Sequence, residues 1–242
     1  MKKKHVLNVL VCLSVLCCAG PLNAAKVAVE TGARLLPTVA WLVGTYDTLG
    51  RPDMAVIDRT GIAETAAGQN MAFYVSVAPS RQTAMNIESS GAFTVNIMTP
   101  DIVAQGDYCG SVSAASGGTY FDKFAVTGLE LEKSGAVNAP VLARSPLVLE
   151  CRLLKTQDFA DGKHRMYFGE VVGYRVEASN PNGDRNNGGA QFAPVKSQML
   201  VFFAGGSEKS GYYKVSKPYG RADRQYGEKY PDGGGLLPKR GH

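Results

Sequence analysis

The sequence predicts a mainly β protein with a closed or sandwiched core. About seven short segments rich in Val, Thr and aromatic residues follow one another at irregular spacing, separated by turn-forming residues. The 242 residues include 28 Gly and 12 Pro, which favour many turns and few long helices. With 45% hydrophobic and 19% charged residues, the chain has enough apolar side chains to bury a core.

The predicted strands have the composition and periodicity of half-buried strands. The first is rich in Val, Thr and aromatics and ends at a turn with the sequence DTLG, residues 47–50. In the third, apolar residues roughly alternate with small or polar ones. The seven predicted strands are residues 38–46, 54–58, 71–78, 93–98, 147–154, 165–176 and 198–204.

Two helices are predicted between strands. The first begins near Ser80, a residue type that caps helices, and continues to Ser90. The second has Thr99 as its cap and Pro100 at its first position. Asp101 lies in the first turn of that helix, where its charge is favoured by the helix dipole.

The first 24 residues have the three parts of a secretory signal: three lysines, an apolar run of about a dozen residues and a small-residue exit. Cleavage is predicted after Ala24 or Ala25, so the protein is expected to be exported, to the periplasm or the medium. The alternative is an uncleaved anchor, although a permanent span needs about 20 apolar residues. We therefore expect no stable membrane span after cleavage, and one domain over residues 25–204.

Residues 205–242 differ from the rest of the chain. They contain eight Lys or Arg, four acidic residues and five of the 11 Tyr. This composition predicts either a mobile, solvated extension or an arm that lies across a partner subunit with its tyrosines docked.

Several functions are excluded by charge and by missing motifs. Residues 25–242 carry 23 basic and 21 acidic side chains, a net charge of +2, which excludes a strongly basic surface for nucleic acid. The chain has no dinucleotide-binding G-x-G-x-x-G after a strand, no P-loop and no G-x-S-x-G. Beyond the signal only His164 and His242 remain, too few for a histidine-based hydrolytic triad or zinc site.

Two cysteines, Cys109 and Cys151, remain after signal removal. Cys151 lies inside a predicted strand and is expected to be buried. Cys109 is either a small buried residue or a redox thiol, and the two could also pair in a disulfide.

The segment Ser80-Arg81-Gln82-Thr83 opens the first predicted helix and is suited to an anion. Free backbone N–H groups and the positive end of the helix dipole attract negative charge there. Arg81 adds a planar guanidinium that matches phosphate oxygens, and the two hydroxyls add neutral hydrogen bonds.

Seven motifs together resemble the flavin reductase-like, FMN-binding split-barrel family, close to its flavoredoxin branch. The resemblance covers about residues 35–205. In order, the motifs are residues 37–58 (PTVAWLVGTYDTLGRPDMAVID), 80–83 (SRQT), 93–96 (FTVN), 107–110 (DYCG), 122–124 (DKF), 149–151 (LEC) and 168–171 (FGEV).

The resemblance implies an FMN-binding split β-barrel with one or two short helices, working as a homodimer whose pocket is shared by both subunits. It implies an oxidoreductase in which bound FMN passes electrons between a donor and an acceptor. NAD(P)H is the family's usual donor, but an exported protein is expected to use a protein or quinol-linked donor instead. The alternative function is a non-enzymatic barrel that carries or stores flavin or haem.

The resemblance also implies which residues contact the cofactor. The implied contacts are Asp53, Arg59 and Thr60 beside the flavin ring, Ser80, Arg81 and Thr83 at the phosphate, and Asn96, Cys109, Lys123 and His164 along the pocket.

Some positions depart from the family or have an alternative role. The family often has Asn where Asp53 stands, and residues 113–120 are an insertion before Lys123. Arg59 either contacts the ring or points to solvent, and His164 either contacts the flavin or lies in a surface turn. Trp41 is expected to pack in the core rather than to stack on a ligand.

Overall fold

The described part of the chain folds into antiparallel strands joined by turns and three short α-helices. The computed structural model describes residues 26, 28, 37–65, 71–116, 119–159, 162–176, 199–203 and 211–214. Its strands are β1 (Thr38–Val39), β2 (Trp41–Tyr46), β3 (Pro52–Ile57), β4 (Thr60–Glu64), β5 (Met71–Val77), β6 (Ala92–Ile97), β7 (Ala115–Ser116), β8 (Thr119–Tyr120), β9 (Leu131–Lys133), β10 (Pro140–Leu142), β11 (Leu147–Asp158), β12 (Arg165–Val176), β13 (Leu200–Phe203) and β14 (Gly211–Lys214). Each of the seven predicted strands is present, which confirms the mainly β prediction.

Seven strands form the main sheet, in the order β3-β2-β6-β11-β12-β5-β4. Its two edge strands, β3 and β4, are consecutive in the chain and separated only by Asp58 and Arg59. That link spans at most about 11 Å, whereas the edges of a flat seven-stranded sheet would lie about 29 Å apart. The sheet therefore curls until its two edges approach each other at this link. The backbone N–H of Ser76 on β5 donates to the Arg59 carbonyl at 2.8 Å, so the link is joined to the next strand as well.

Both faces of the curled sheet are covered by apolar side chains. Val43 and Phe73 belong to one hydrophobic core, whereas Leu42 and Met54 belong to a second core. Leu42 and Val43 are neighbours in β2 but belong to different cores, because successive side chains of a strand point to opposite faces of the sheet. Trp41 packs edge-to-face against Phe73 with ring centroids 5.4 Å apart, so its predicted place in the core is confirmed.

The described helices are α1 (Gln82–Ser90), a 3-10 turn (Pro100–Ile102), α2 (Val103–Ser111) and α3 (Lys123–Thr127). Arg81, with extended backbone, is the N-cap of α1, so the prediction that Ser80 caps this helix is wrong. The cause is a preceding turn in which the Arg81 N–H donates to the Ala78 carbonyl, which delays the helix by one residue. The predicted start at Thr99 and Pro100 is confirmed, as a 3-10 turn that leads directly into α2.

The chain beyond residue 204 is described only at β14, which pairs with β13. Tyr212 on β14 packs on Phe202 and donates its hydroxyl to Asp107 on α2 at 2.6 Å. This part of the predicted tail therefore lies on the domain, whereas the rest of the tail and the predicted signal at residues 1–24 lie outside the described residues. No described helix combines the length and apolar character needed to cross a membrane.

Candidate functional site

A cavity of about 370 Å³ lies where the two edges of the sheet approach each other. Its walls come from β3, the Asp58-Arg59 link, the end of β5, the start of α1, the residues that end and follow α2, and the side chains of Lys123 and His164. The volume falls within the range of about 300 to 1,000 Å³ that small-molecule sites occupy. The curl of the sheet thus creates a space large enough for a ligand.

The start of α1 supplies this cavity with hydrogen-bond donors. The first backbone bond of the helix joins Met85 N–H to the Arg81 carbonyl, so the amides of Gln82, Thr83 and Ala84 have no acceptor within the helix. Arg81 and Thr83 both line the cavity, Arg81 exposed and Thr83 buried. This arrangement of donors suits an anion.

Asp58 and Arg59 form a charged pair at the cavity edge. The Arg59 guanidinium lies 3.7 Å from the Asp58 carboxylate, and its side chain is 41% exposed. Arg59 therefore faces both the cavity and solvent, and its charge is partly offset by its neighbour.

Asp53 and Lys123 form a buried ion pair in the cavity wall. Lys123 Nζ lies 2.7 Å from Asp53 Oδ1, and both side chains are 3% exposed or less. The same ammonium donates to the carbonyls of Met54 at 2.9 Å and Cys109 at 2.8 Å. Burial raises the pKa of the Asp53 carboxyl, and the Lys123 charge opposes that rise.

Cys109 lines the cavity as a buried thiol. Burial raises the pKa of its thiol to about 11, although the nearby Lys123 ammonium acts in the opposite direction. A thiol of this kind is protonated at neutral pH and is a poor nucleophile. Cys151 is also buried, as expected, and its pKa is raised by burial too. Both are free thiols, so the alternative of a disulfide between them does not hold.

The structure brings most of the implied contacts to one place. The implied residues that line the cavity are Asp53, Arg59, Arg81, Thr83, Cys109, Lys123 and His164. Its lining also contains residues that sequence reasoning missed, including Ser76, Val77, Ala78 and Val112. No residue-type signal marks these four, and they reach the cavity because β5 and α2 end there.

Thr60, Ser80 and Asn96 are outside the lining of the cavity. Thr60 pairs with Val75 at the start of β4, and Ser80 is exposed. Asn96 is fully buried in β6, where its amide donates to the Leu42 carbonyl and accepts from the Leu142 N–H, at 3.0 and 2.9 Å. These bonds give Asn96 a structural role that joins three strands.

Solved structures with this fold come from several organisms. Flavoredoxin of Desulfovibrio vulgaris (Miyazaki F) is 27% identical, with a TM-score of 0.68 over 81% of this chain and 97% of that one. A 2-nitrobenzoate 2-nitroreductase from Pseudomonas fluorescens is 20% identical, with a TM-score of 0.65 over 86% and 91%. An FMN-binding protein from Thermus thermophilus is 17% identical, with a TM-score of 0.59 over 79% and 94%. The fold shared with these proteins is the split barrel.

Sequence comparison gives a matching result. An uncharacterized protein from Deinococcus radiodurans is 31% identical over 93 residues, so this chain spans 38% of that relative's length. Residues 33–208 match the family described as flavin reductase like domain. That match covers well over half of the chain, and the protein belongs to the flavin reductase-like family.

Proposed function

We propose that this protein is an FMN-binding oxidoreductase of the flavin reductase and flavoredoxin type. One observation carries the proposal: a ligand-sized cavity is lined at one end by the first residues of helix α1 and by an arginine. Family membership and the likeness to flavoredoxin support a flavin as the ligand. The hydrogen-bond donors at the start of α1 and on Arg81 suit a phosphate group. They therefore favour FMN over riboflavin, which lacks a phosphate.

The residues present fit FMN by their chemistry. The amides at the start of α1 and the Arg81 guanidinium would hold the phosphate, because both donate several hydrogen bonds to an oxyanion. The apolar side chains of Ala55, Val56 and Ile57 on β3, which also line the cavity, would contact the flavin ring.

When bound, the isoalloxazine of the flavin supplies the electron-transfer chemistry. The residues of the protein position the flavin and supply the charges around it. The neutral Cys109 thiol and the paired Asp53 and Lys123 side chains are not suited to act as acid or base.

The absorption spectrum of the purified protein tests this function most simply. We expect the two absorption bands of an oxidised flavin, bleached by a chemical or physiological reductant. A protein that takes up no flavin would contradict the proposal. A Soret band, or a flavin that no donor reduces, would favour the carrier function instead.

We further propose that the protein is exported after cleavage of residues 1–24. The basic start and the short apolar run support this proposal. Amino-terminal sequencing of the native protein is expected to begin near Ala25 or Lys26. An intact Met1 on a cytoplasmic species would contradict export and would leave the flavin proposal unaffected.

A further inference from the structure

The Lys123 ammonium is held in place by groups of the protein. Nζ donates hydrogen bonds to the carbonyls of Met54 at 2.9 Å and Cys109 at 2.8 Å, and it forms an ion pair with Asp53 Oδ1 at 2.7 Å. Lys123 lines the cavity but is almost fully buried. Its main contribution to the site is therefore its charge and the groups that it holds.

The Asp53 carboxylate stands next to the predicted anion site. Its second oxygen, Oδ2, lies 3.5 Å from the Thr83 hydroxyl, and Thr83 is the second residue of α1. An uncompensated negative charge at this point would repel a phosphate at the start of the helix, and burial would make the repulsion stronger than in water. The position therefore requires a counter-charge.

Lys123 supplies that counter-charge from the opposite side of Asp53. It extends from the first position of α3 and reaches both β3, through Met54, and the last turn of α2, through Cys109. Asp53 and Lys123 together add no net charge to the cavity, so Arg81 and the helix amides set the potential at the α1 end. The ammonium also fixes the wall at Cys109.

We propose that Lys123 is a positioning residue for anion recognition: it neutralises Asp53 and thereby allows the start of α1 to bind a phosphate group. The inference deepens the proposed function and rests on it. It replaces the direct cofactor contacts that the family resemblance implies for these two residues with an indirect role.

The test measures the preference for FMN over riboflavin, which is the ratio of the riboflavin dissociation constant to the FMN dissociation constant. Both constants are obtained from the quenching of flavin fluorescence on binding. Because riboflavin lacks only the phosphate, damage to the ring site changes both constants and leaves the ratio unchanged. The measurement is repeated at increasing pH, because burial raises the pKa of the Asp53 carboxyl and its ionised fraction grows as the pH rises. Four proteins are compared: the parent, Lys123→Met, the double variant Asp53→Asn/Lys123→Met, and the control Lys155→Met, which removes an exposed lysine outside the cavity.

Lys123→Met is expected to lower the preference for FMN by about tenfold or more, which corresponds to about 1.4 kcal/mol. The double variant, in which both charges are gone, is expected to regain most of the parent's preference for FMN. Lys155→Met is expected to keep the parent value. Equal losses for both flavins in Lys123→Met, or no rescue by the second substitution, would overturn the proposal.

Asp53→Asn provides an independent test if Lys123→Met does not fold, because loss of one member of a buried pair is destabilising. Asparagine has nearly the same shape as aspartate but no negative charge, so the preference for FMN is expected to rise. An unchanged or reduced preference would contradict the charge argument. A parent that shows no preference for FMN would instead overturn the proposed function, before the ion pair is tested.

Discussion

Arg81 is expected to contact the phosphate of FMN and not its ring. Replacing Arg81 should therefore weaken binding of the phosphate and leave binding of the ring unchanged. Its guanidinium lines the α1 end of the cavity, and a charged hydrogen bond contributes about 1.5–3 kcal/mol. Arg81→Ala is expected to weaken FMN binding by about ten- to a hundredfold while riboflavin binding is unchanged. Arg81→Lys is expected to regain only part of the loss, because an ammonium cannot make the bidentate contact. Calorimetric titration of the three proteins measures this, and an Arg81→Ala variant with the parent's FMN affinity would place the phosphate elsewhere.

Cys109 is expected to be unreactive in the folded protein. Since its pKa is raised to about 11, the thiolate fraction at neutral pH is small and grows only as the pH approaches that value. Iodoacetamide should therefore label Cys109 slowly in the native protein and rapidly after unfolding, as peptide mass spectrometry can show. Fast labelling of native Cys109 at neutral pH would restore the redox alternative.

At the scale of elements, α3 matters because it carries Lys123. Asp122 caps this short helix, accepting from the N–H groups of Phe124 and Ala125 at 2.9 and 3.1 Å. Asp122→Ala is expected to lower the free energy of unfolding by about 1 kcal/mol. Asp122→Asn, which keeps a cap, is expected to lose less. Denaturant unfolding measures both, and equal stabilities of the alanine variant and the parent would show that the cap contributes nothing.

The elements differ in how far the sequence predicts them. Strands such as β5 and β6 have apolar β-branched and aromatic residues that identify them without further information. β4, with the sequence TGIAE and a mostly exposed edge position, has no such pattern. The helix cap moved from Ser80 to Arg81 because of a backbone turn that residue types do not reveal.

The site residues, like the elements, are only partly predictable from the sequence. Motif order predicts that Asp53, Arg81 and Lys123 gather near one pocket. It does not distinguish a side chain that reaches a ligand from one that is bound by neighbouring groups of the protein. The three oxygen atoms around Lys123 Nζ come from β3 and α2, distant in sequence from α3, and only the folded chain brings them together. Asn96 belongs to one of the motifs but does not line the cavity. Its hydrogen bonds stabilise the sheet instead.

At the scale of the whole molecule, we expect a homodimer. The main sheet leaves large apolar side chains at least half exposed on several strands: Ile62 is 69%, Tyr174 56% and Leu154 50% exposed. Single exposed apolar side chains are also normal on a monomer, so the expectation of a homodimer rests mainly on the family resemblance. Light scattering of the flavin-bound protein at micromolar concentration is expected to give the mass of two chains. The mass of one chain would contradict the homodimer.

FMN is proposed to bind between the β3–β4 link and the start of α1. A crystal structure of the protein with FMN would show where the cofactor lies. We expect the phosphate within about 2.7–3.2 Å of the free amides at the start of α1 and of the Arg81 guanidinium, with the ring against β3. A flavin bound outside this cavity, or one whose phosphate points away from α1, would contradict the claim.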